Sequence, residues 1–422
     1  MIKELRLKNW KSFADATLYI DPLTLLIGTN ASGKSNALDA LLFLHRLASG
    51  GYIFDAINGN GDTKLQALRG GIEWVCLKPH RQFTLEVLAD GVEANQDCRY
   101  VLTVQVNQLN VELIAESLTL LTYESVGGLL PKEKDIFRYN SKDGGGGNNL
   151  CLLSSFASIP SLDGILTLNL GSALSLNQTK TFFEKDALVN INYVLAQLKQ
   201  IFIFDPIPSH IRDDSPLSKK LNTDGSNIAG VLAALEPSRK EEVEATLTNY
   251  FKSLPESDIK RVWAETIGRF NSDAMLYCEE GWGEAASHEI DARGMSDGSL
   301  RYLAIVTALL TREKGSLLVI EEVDNGLHPS RAHLLLEMLR TLGKERGVDV
   351  IVTTHNPALL DAAGGKMLPF ITVAHRDGKT GVSQLIQLED VNQLPKLMAS
   401  GSLGKLSTEG RIEAALKRED AQ

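Results

Sequence analysis

Apolar residues along this chain follow two patterns that predict two kinds of β-strand. Leu23–Ile27, Leu317–Ile320 and residues 348–352 are nearly continuous apolar runs, which are typical of parallel strands covered on both faces. Residues 1–7 and much of 72–125 alternate apolar and polar positions, which is typical of antiparallel strands. The pattern therefore predicts an α/β protein with a mixed central sheet flanked by helices and an antiparallel β-subdomain.

Helical spacing of apolar residues appears between these strands. Two such patterns cover residues 177–200 and 228–254, and Pro237 interrupts the second. No heptad repeat persists in them and Pro or Gly recurs, so they predict a compact helical insertion rather than a long coiled coil. The four glycines at 144–147 predict a flexible loop before this insertion.

A nucleotide-binding motif follows the first continuous apolar run. Residues 28–35 match G-x-x-x-x-G-K-[ST] between a predicted strand and a predicted helix. In such a loop backbone N–H groups face a phosphate, and the helix N-terminus favours the anion. Lys34 would reach the β- and γ-phosphates of ATP, and the Ser35 hydroxyl would bind Mg²⁺. The residues predicted to contact the nucleotide are Gly28, Asn30, Ala31, Ser32, Gly33, Lys34, Ser35 and Asn36.

Two acidic residues end the second continuous run. Glu321 and Glu322 directly follow Leu317–Ile320, and ligands of parallel sheets collect at the carboxyl ends of the strands. Glu321 is predicted to hold Mg²⁺, directly or through water, although Asp is commoner at this position. Glu322 is predicted to orient and deprotonate the attacking water. His355 ends the third run, where it could sense the γ-phosphate.

A second phosphate nest is predicted at the start of another helix. Ser296 is a plausible N-cap, and Gly298 follows it, so the backbone there can also hold a phosphate. Because the chain already has a phosphate loop for its own nucleotide, we infer that this second nest serves the nucleotide of another copy. Arg293 and Arg301 flank the segment and could either reach that phosphate or form surface ion pairs.

Together these motifs resemble the ATP-binding-cassette ATPases of the SMC and RecF branch. Within that branch they are similar to stand-alone AAA-type ATPases related to the overcoming-lysogenization-defect proteins of bacteria. The residues that carry the likeness are 9–13, 28–36, 295–301, 320–329 and 353–357. The resemblance implies a P-loop NTPase fold and a head-to-tail homodimer with two ATP molecules and Mg²⁺. Each ATP would lie between the phosphate loop of one subunit and residues 295–301, the signature segment, of the other.

The resemblance also divides the chain into three parts. Residues 1–140 would hold the phosphate loop and the β-subdomain, and residues 141–290 the flexible loop and the helical insertion. Residues 291–422 would hold the signature segment, the acidic pair and His355, which the resemblance makes the switch histidine. Proteins of this group use a glutamine for Mg²⁺, and both Gln66 and Gln82 fit by their distance from the phosphate loop.

Composition agrees with a large cytoplasmic enzyme. The chain has 422 residues, of which 43% are hydrophobic, and this is enough for a substantial core. A net charge of −10 argues against a protein that coats nucleic acid, although a local basic patch is compatible with it. The cysteines are scattered without a C-x-x-C pair, so neither a zinc site nor a disulfide framework is indicated. No export signal or membrane-length apolar run is visible, and no membrane partner is expected.

The function expected from the resemblance is an ATPase that dimerises around ATP and regulates a separate effector protein. That effector would be a nuclease or toxin in bacterial antiphage defence. The alternative is a RecF-like or SMC-like protein that binds DNA directly when ATP is present, in repair or maintenance. The acidic charge and the missing coiled coil weigh against the alternative, and a transporter ATPase is a third, less favoured hypothesis.

Overall fold

The computed structural model describes most of the chain. The residues it describes are 1–60, 66–107, 110–124, 130–141, 167–168, 181–182, 185–254, 259–281, 287–391 and 394–419. The glycine-rich loop predicted at 144–147 lies outside these residues, as does Cys151.

Strands dominate the N-terminal third and recur towards the C-terminus. In chain order they are β1 Ile2–Trp10, β2 Phe13–Tyr19, β3 Leu23–Ile27, β4 Gln82–Asp90, β5 Gln96–Val106, β6 Val111–Thr122, β7 Lys132–Asn140, β8 Thr167–Leu168, β9 Thr181–Phe182, β10 Ile201–Phe204, β11 Ser215–Pro216, β12 Ile259–Ile267, β13 Asp273–Glu280, β14 His288–Asp291, β15 Leu317–Ile320, β16 Asp349–Thr354, β17 Ile371–Arg376 and β18 Ser383–Gln387.

Helices separate many of these strands and close the chain. They are α1 Lys34–Ala48, α2 Ile53–Asn58, α3 Gly71–Trp74, α4 Lys185–Lys199, α5 Pro208–Ile211, α6 Ile228–Ala233, α7 Pro237–Lys252, α8 Asp297–Thr311, α9 Ala332–Arg346, α10 Pro357–Ala363, α11 Leu394–Met398, α12 Leu403–Thr408 and α13 Arg411–Glu419.

One sheet of twelve strands joins the nucleotide-binding half to the β-subdomain. Its order is β10-β15-β16-β3-β17-β18-β2-β1-β4-β5-β6-β7. From β10 to β17 the neighbours run parallel, whereas the pairs from β2 to β7 are antiparallel. The predicted α/β class and mixed sheet are therefore confirmed, and the antiparallel β-subdomain is continuous with the central sheet.

The sheet separates two hydrophobic cores because side chains alternate across it. On β3, Leu25 and Ile27 pack into one core with α8 and α9, whereas Leu26 packs into the other with α1. All five residues of β3 are buried, as the continuous apolar run predicts. The carboxyl ends of β3, β15 and β16 therefore meet at one edge of a sheet covered on both sides.

The helix predicted at 177–200 is α4, which begins at Lys185 after the short strand β9, and the one predicted at 228–254 is observed as α6 and α7. The region between α5 and α8 also holds a small sheet that the sequence pattern did not predict. The helices α6 and α7 pack against β12, which belongs to a sheet with β11, β13 and β14. Before this unit the chain returns to the large sheet through β10, which pairs with β15. The proposed division at residues 140 and 290 stays a prediction.

The three described cysteines are buried and separate, as expected for reduced structural thiols. Burial raises the pKa of Cys76 and of Cys98 to about 11, so both thiols stay protonated and unreactive near neutral pH. Among the described helices, none has the length and apolar character that a bilayer crossing requires.

Candidate functional site

The phosphate loop lies between β3 and α1, as its motif requires. Lys34 Nζ donates hydrogen bonds to the carbonyl oxygens of Gly28 at 2.7 Å and of Thr29 at 3.0 Å, so the amine lies over the loop. Burial lowers the pKa of Lys34, and the nearby carboxylates of Glu322 and Glu321 oppose that shift. The Lys34 amine is therefore held at the phosphate loop and next to the two acids.

The loop is joined directly to the end of β15. Ser35 Oγ donates to Glu321 Oε2 at 3.1 Å, although 286 residues separate the two in sequence. Arg69 Nη2 donates to the other oxygen of the same carboxylate, Glu321 Oε1, at 2.5 Å. A hydroxyl and a carboxylate side by side are the hard oxygen donors that Mg²⁺ prefers, so these residues fit that metal.

Glu322 has a strained backbone at the strand end. Its φ is +48°, a left-handed conformation that costs a non-glycine residue on the order of 1–3 kcal/mol. Its N–H donates to Thr353 Oγ1 at 2.8 Å, and the N–H of Val323 donates to the Thr353 carbonyl at 3.1 Å. The neighbouring strand β16 therefore holds Glu322 in a conformation that the residue would not adopt alone.

Arg301 supports both acids from below the site. Its side chain is buried, and Nη2 donates to the backbone carbonyls of Glu321 at 3.0 Å and Glu322 at 3.1 Å. The same guanidinium bonds the Pro206 carbonyl at 2.8 Å and Asp205 Oδ1 at 3.3 Å. The Arg301 guanidinium is thus buried, pairs with Asp205 and ties α8 to the strand end. Arg293, in contrast, forms an exposed ion pair with Asp291.

His355 follows β16 and shares a cleft with Glu322. The cleft has a volume of about 330 Å³ and is also lined by residues 324–327. Asn356 fixes the next element, because its Oδ1 accepts a hydrogen bond from the Ala358 N–H at 2.9 Å and caps α10. The predicted base and the predicted switch histidine are therefore brought together.

The signature segment caps α8, and its start is exposed at Ser296 and Asp297, whereas Gly298 and Leu300 are buried. Ser296 is the N-cap, and its Oγ accepts a hydrogen bond from the Ser299 N–H at 3.1 Å. A Cβ on Gly298 would lie 2.6 Å from the Gly326 carbonyl oxygen, so only glycine fits beside residues 324–327. Within the described chain, no hydrogen bond or ion pair links residues 296–299 to the phosphate loop at 28–36.

Comparisons with known proteins identify the class to which this site belongs. A family model described as "AAA ATPase domain" matches residues 1–95, and one described as "AAA domain, putative AbiEii toxin, Type IV TA system" matches residues 283–361. These two stretches hold the phosphate loop and the acidic pair with its signature segment. An "ATP/GTP phosphatase" of Helicobacter pylori is 22% identical over 380 residues, covering 86% of this chain and 87% of that protein.

Solved structures agree on the fold. A crystal structure of an SMC head bound to the C-winged helix domain of ScpA matches with a TM-score of 0.52 at 15% identity, covering 92% of this chain and 98% of that one. An SMC head with an extended coiled coil, bound to a ScpA domain from Pyrococcus furiosus, matches with a TM-score of 0.52 at 12% identity, covering 94% and 99%. The two ends of the chain are similar to AAA ATPase domains, and its fold is that of an SMC head. The protein is an ATPase.

The turn between β1 and β2 completes the surroundings of the phosphate loop in this ATPase. Trp10 Nε1 donates to the Asn36 carbonyl at 2.7 Å, and Asn36 Nδ2 donates to Ser12 Oγ at 2.8 Å. Lys11 Nζ donates to Asp39 on α1 at 2.5 Å and to the Arg69 carbonyl at 2.7 Å. The motif at residues 9–13 is thus a support for the loop and for the Arg69 segment.

Three arginines organise the site through contacts that the sequence did not predict. Arg69 reaches Glu321, whereas the two glutamines proposed for the metal, Gln66 and Gln82, are both exposed. Arg301 carries a sequence signal, since it is the one charged residue in the otherwise apolar stretch 300–310. Arg212 pairs with Asp297 at 2.7 Å and donates to the Met295 carbonyl at 2.9 Å, which steadies the signature segment.

The structure gives the positions of the other residues predicted to contact ATP, but their contacts with ATP stay predictions. Asn30 and Ala31 are exposed at the loop, and Ser32 is almost fully buried. The roles of all predicted site residues towards ATP and Mg²⁺ therefore stay predictions, and they enter the proposed function as such.

Proposed function

We propose that this ATPase binds Mg²⁺·ATP between two head-to-tail copies and uses the nucleotide state to regulate a separate effector protein. One observation carries the dimer. Ser296 is exposed at the N-terminus of α8, without a bond to the phosphate loop of its own chain. A helix N-terminus with a serine cap is suited to hold a phosphate, and a second copy can present one to it.

The residues of one chain supply most of the reaction machinery. Lys34 and the backbone of residues 28–36 would hold the phosphates, while Ser35 and Glu321 would hold Mg²⁺. The metal would neutralise charge on the phosphates. Glu322 would accept a proton from the attacking water, and His355, in the same cleft, would contact the terminal phosphate. Ser296 and Gly298 of the second copy would close the site.

Two findings support an effector. The family model over residues 283–361 is named for a toxin of a toxin–antitoxin system. The two SMC heads described above are each bound to a domain of ScpA. A regulatory role in bacterial antiphage defence is consistent with both, and cytoplasmic location accompanies that proposal.

The experiment is the solution mass of Glu322→Gln, measured by light scattering with and without Mg²⁺·ATP. Removing the carboxylate should slow turnover by about 10²–10⁴-fold, the usual contribution of a general base, and trap the ATP-bound state. We expect a mass that doubles only when the nucleotide is present. The trapped form then serves as bait for the effector.

Glu241→Gln is the matched control, because Glu241 is an exposed carboxylate on α7 far along the chain from the strand end. It should turn over ATP and behave like the unmodified protein. A Glu322→Gln protein that stays monomeric with saturating Mg²⁺·ATP would refute the nucleotide-dependent dimer.

The alternative of direct DNA binding makes a different prediction. A duplex held across the dimer would bind only with ATP, and its affinity would fall steeply with salt because phosphate contacts release counterions. Measuring duplex affinity of the trapped Glu322→Gln form at two salt concentrations separates this alternative from effector regulation.

A further inference from the structure

A second cleft lies outside the residues to which the proposed function assigns a role. It has a volume of about 540 Å³ and is formed by the segment that leads from α3 into β4, together with the end of β5. The N–H of Val106 donates to the Arg81 carbonyl at 2.7 Å, which fixes one wall against the other. Its size falls within the range of ligand-binding pockets.

A solvent-exposed tryptophan forms one wall of the cleft. Trp74 is 61% exposed, which is unusual for a side chain with so much apolar surface. Trp74 packs close to Gly70, whose φ is +81°. A Cβ added at Gly70 would lie only 2.7 Å from Trp74 Cβ, so a larger residue would displace the indole. The amine of Lys78 lies 5.8 Å from the centroid of the indole ring. The wall is thus a flat aromatic face with a cation beside it.

The charges around this face are mostly positive. Lys78, His80 and Arg81 line the cleft and are exposed, and Glu73 is the acid among the lining residues. Across the described parts of the chain, no ion pair engages Lys78 or Arg81. Two uncompensated cations in a protein of net charge −10 mark a local site for anions.

An exposed aromatic face flanked by cations matches the chemistry of a nucleotide unit, in which a base can stack and phosphates can pair with Lys and Arg. A duplex keeps its bases within the helix, where the Trp74 ring cannot reach them. A free small molecule is usually buried on most of its surface, whereas the walls of this cleft remain open. We propose that the cleft binds single-stranded nucleic acid, with one base on Trp74 and adjacent phosphates on Lys78 and Arg81.

The cleft borders the ATP site without including its predicted residues. The Lys11 N–H donates to the Val75 carbonyl, and the Leu77 N–H donates to the Asn9 carbonyl, each at 2.9 Å. The cleft wall is therefore anchored to the turn that supports the phosphate loop. Because the two places are neighbours, the test must separate a bound strand from the base of the ATP itself.

The test is fluorescence anisotropy of a labelled oligothymidylate of about twelve nucleotides, a length within the usual site size of single-strand-binding modules. Trp74→Ala should weaken binding at least about fivefold, since stacking is worth about that much per base. The double change Lys78→Glu and Arg81→Glu should lower the slope of log affinity against log salt by about 1.4, the value for two phosphate contacts on a single strand.

Phe270→Ala and Arg269→Glu are the matched controls, because both residues are exposed on the turn between β12 and β13. They should leave oligothymidylate affinity unchanged, and the variants at Trp74, Lys78, Arg81, Arg269 and Phe270 should all keep wild-type ATP turnover and circular dichroism. Saturating ATP should not displace the oligonucleotide, and Lys34→Ala should bind it as the unmodified protein does. Displacement by ATP, equal losses in the controls, or no binding at low salt would each overturn the proposal. None of these outcomes depends on dimer formation, so the proposed function is tested separately.

Discussion

The two halves of the ATP site are held in different ways. The strand-end half is anchored in the core, because buried Arg301 and Thr353 fix the backbone of Glu321 and Glu322. The start of the signature half, at Ser296 and Asp297, is exposed, and Arg212 steadies it from a partly exposed position. In the proposed function the first half supplies the reacting groups, and the second contacts the nucleotide of another copy.

That difference explains why a strained residue can persist at Glu322. A backbone with φ of +48° must be stabilised by its surroundings, and here both neighbouring elements contribute. The signature segment has no comparable strain, since Ser296 is an extended N-cap that would stand in the same conformation in an isolated helix.

The largest effect should come from breaking the buried support. Arg301→Ala removes the donors to four acceptors and leaves buried carbonyls without a hydrogen bond. It should therefore cost about 2–3 kcal/mol of folding stability. Glu322, the proposed general base, should then move out of position, and misplacing such a group should slow turnover by about 10²-fold. Denaturant unfolding and steady-state turnover measure the two effects.

Arg212→Ala and Arg301→Lys sharpen this contrast. Arg212 lies in a partly exposed pair, so its removal should cost at most about 1 kcal/mol of stability. Arg301→Lys keeps the charge but not the fork that spans several carbonyls, and it should rescue little of the lost turnover. Equal losses for Arg212→Ala and Arg301→Ala would show that the buried support has no special role.

The smallest effect on turnover should come from Asp349, at the opposite end of β16 from Thr353. Burial raises the pKa of Asp349 to about 6, above its ordinary value of 3.8. The folded state therefore holds this proton more tightly than the unfolded state does. The contribution of Asp349 to folding stability is most favourable below about pH 4 and declines as pH rises to about 6. Asp349→Asn should remove that decline and stabilise the fold at pH 7 by on the order of 2–3 kcal/mol.

Unfolding by denaturant at pH 4 and pH 7 checks this, with the difference between the two proteins as the readout. Turnover at pH 7 should stay unchanged, because the residue lies away from the strand's carboxyl end. An equal free-energy difference at both pH values would contradict the raised pKa.

The sequence predicted those parts of the site that are local in the chain. The phosphate loop, the acidic pair and the serine cap each depend on a few adjacent residues, so their spacing was enough to find them. The supports of the site depend on contacts between distant segments, such as Arg301 with Asp205, which are 96 residues apart. Periodicity carries no information about such pairs.

The same reason accounts for the small sheet of β11 to β14. Strand β12 is buried irregularly rather than at alternate positions, because α6 and α7 cover part of it. Without the period-two pattern, that stretch gave no strand signal. The helices nearby, whose apolar spacing is regular, were predicted instead.

The most direct test of a site shared between two copies is complementation. Lys34→Ala keeps the signature segment but loses its phosphate-binding cation, and Ser296→Arg keeps the phosphate loop but blocks the signature cap. Each protein alone should be inactive. In an equal mixture, half of the dimers contain one copy of each protein. Each such mixed dimer has one complete site and one defective site.

Mixing the two inactive proteins should therefore restore about a quarter of the wild-type ATP turnover, if the sites act independently. A rate that stays at the level of the separate proteins, while light scattering shows that the two still associate, would contradict a site completed by the second copy.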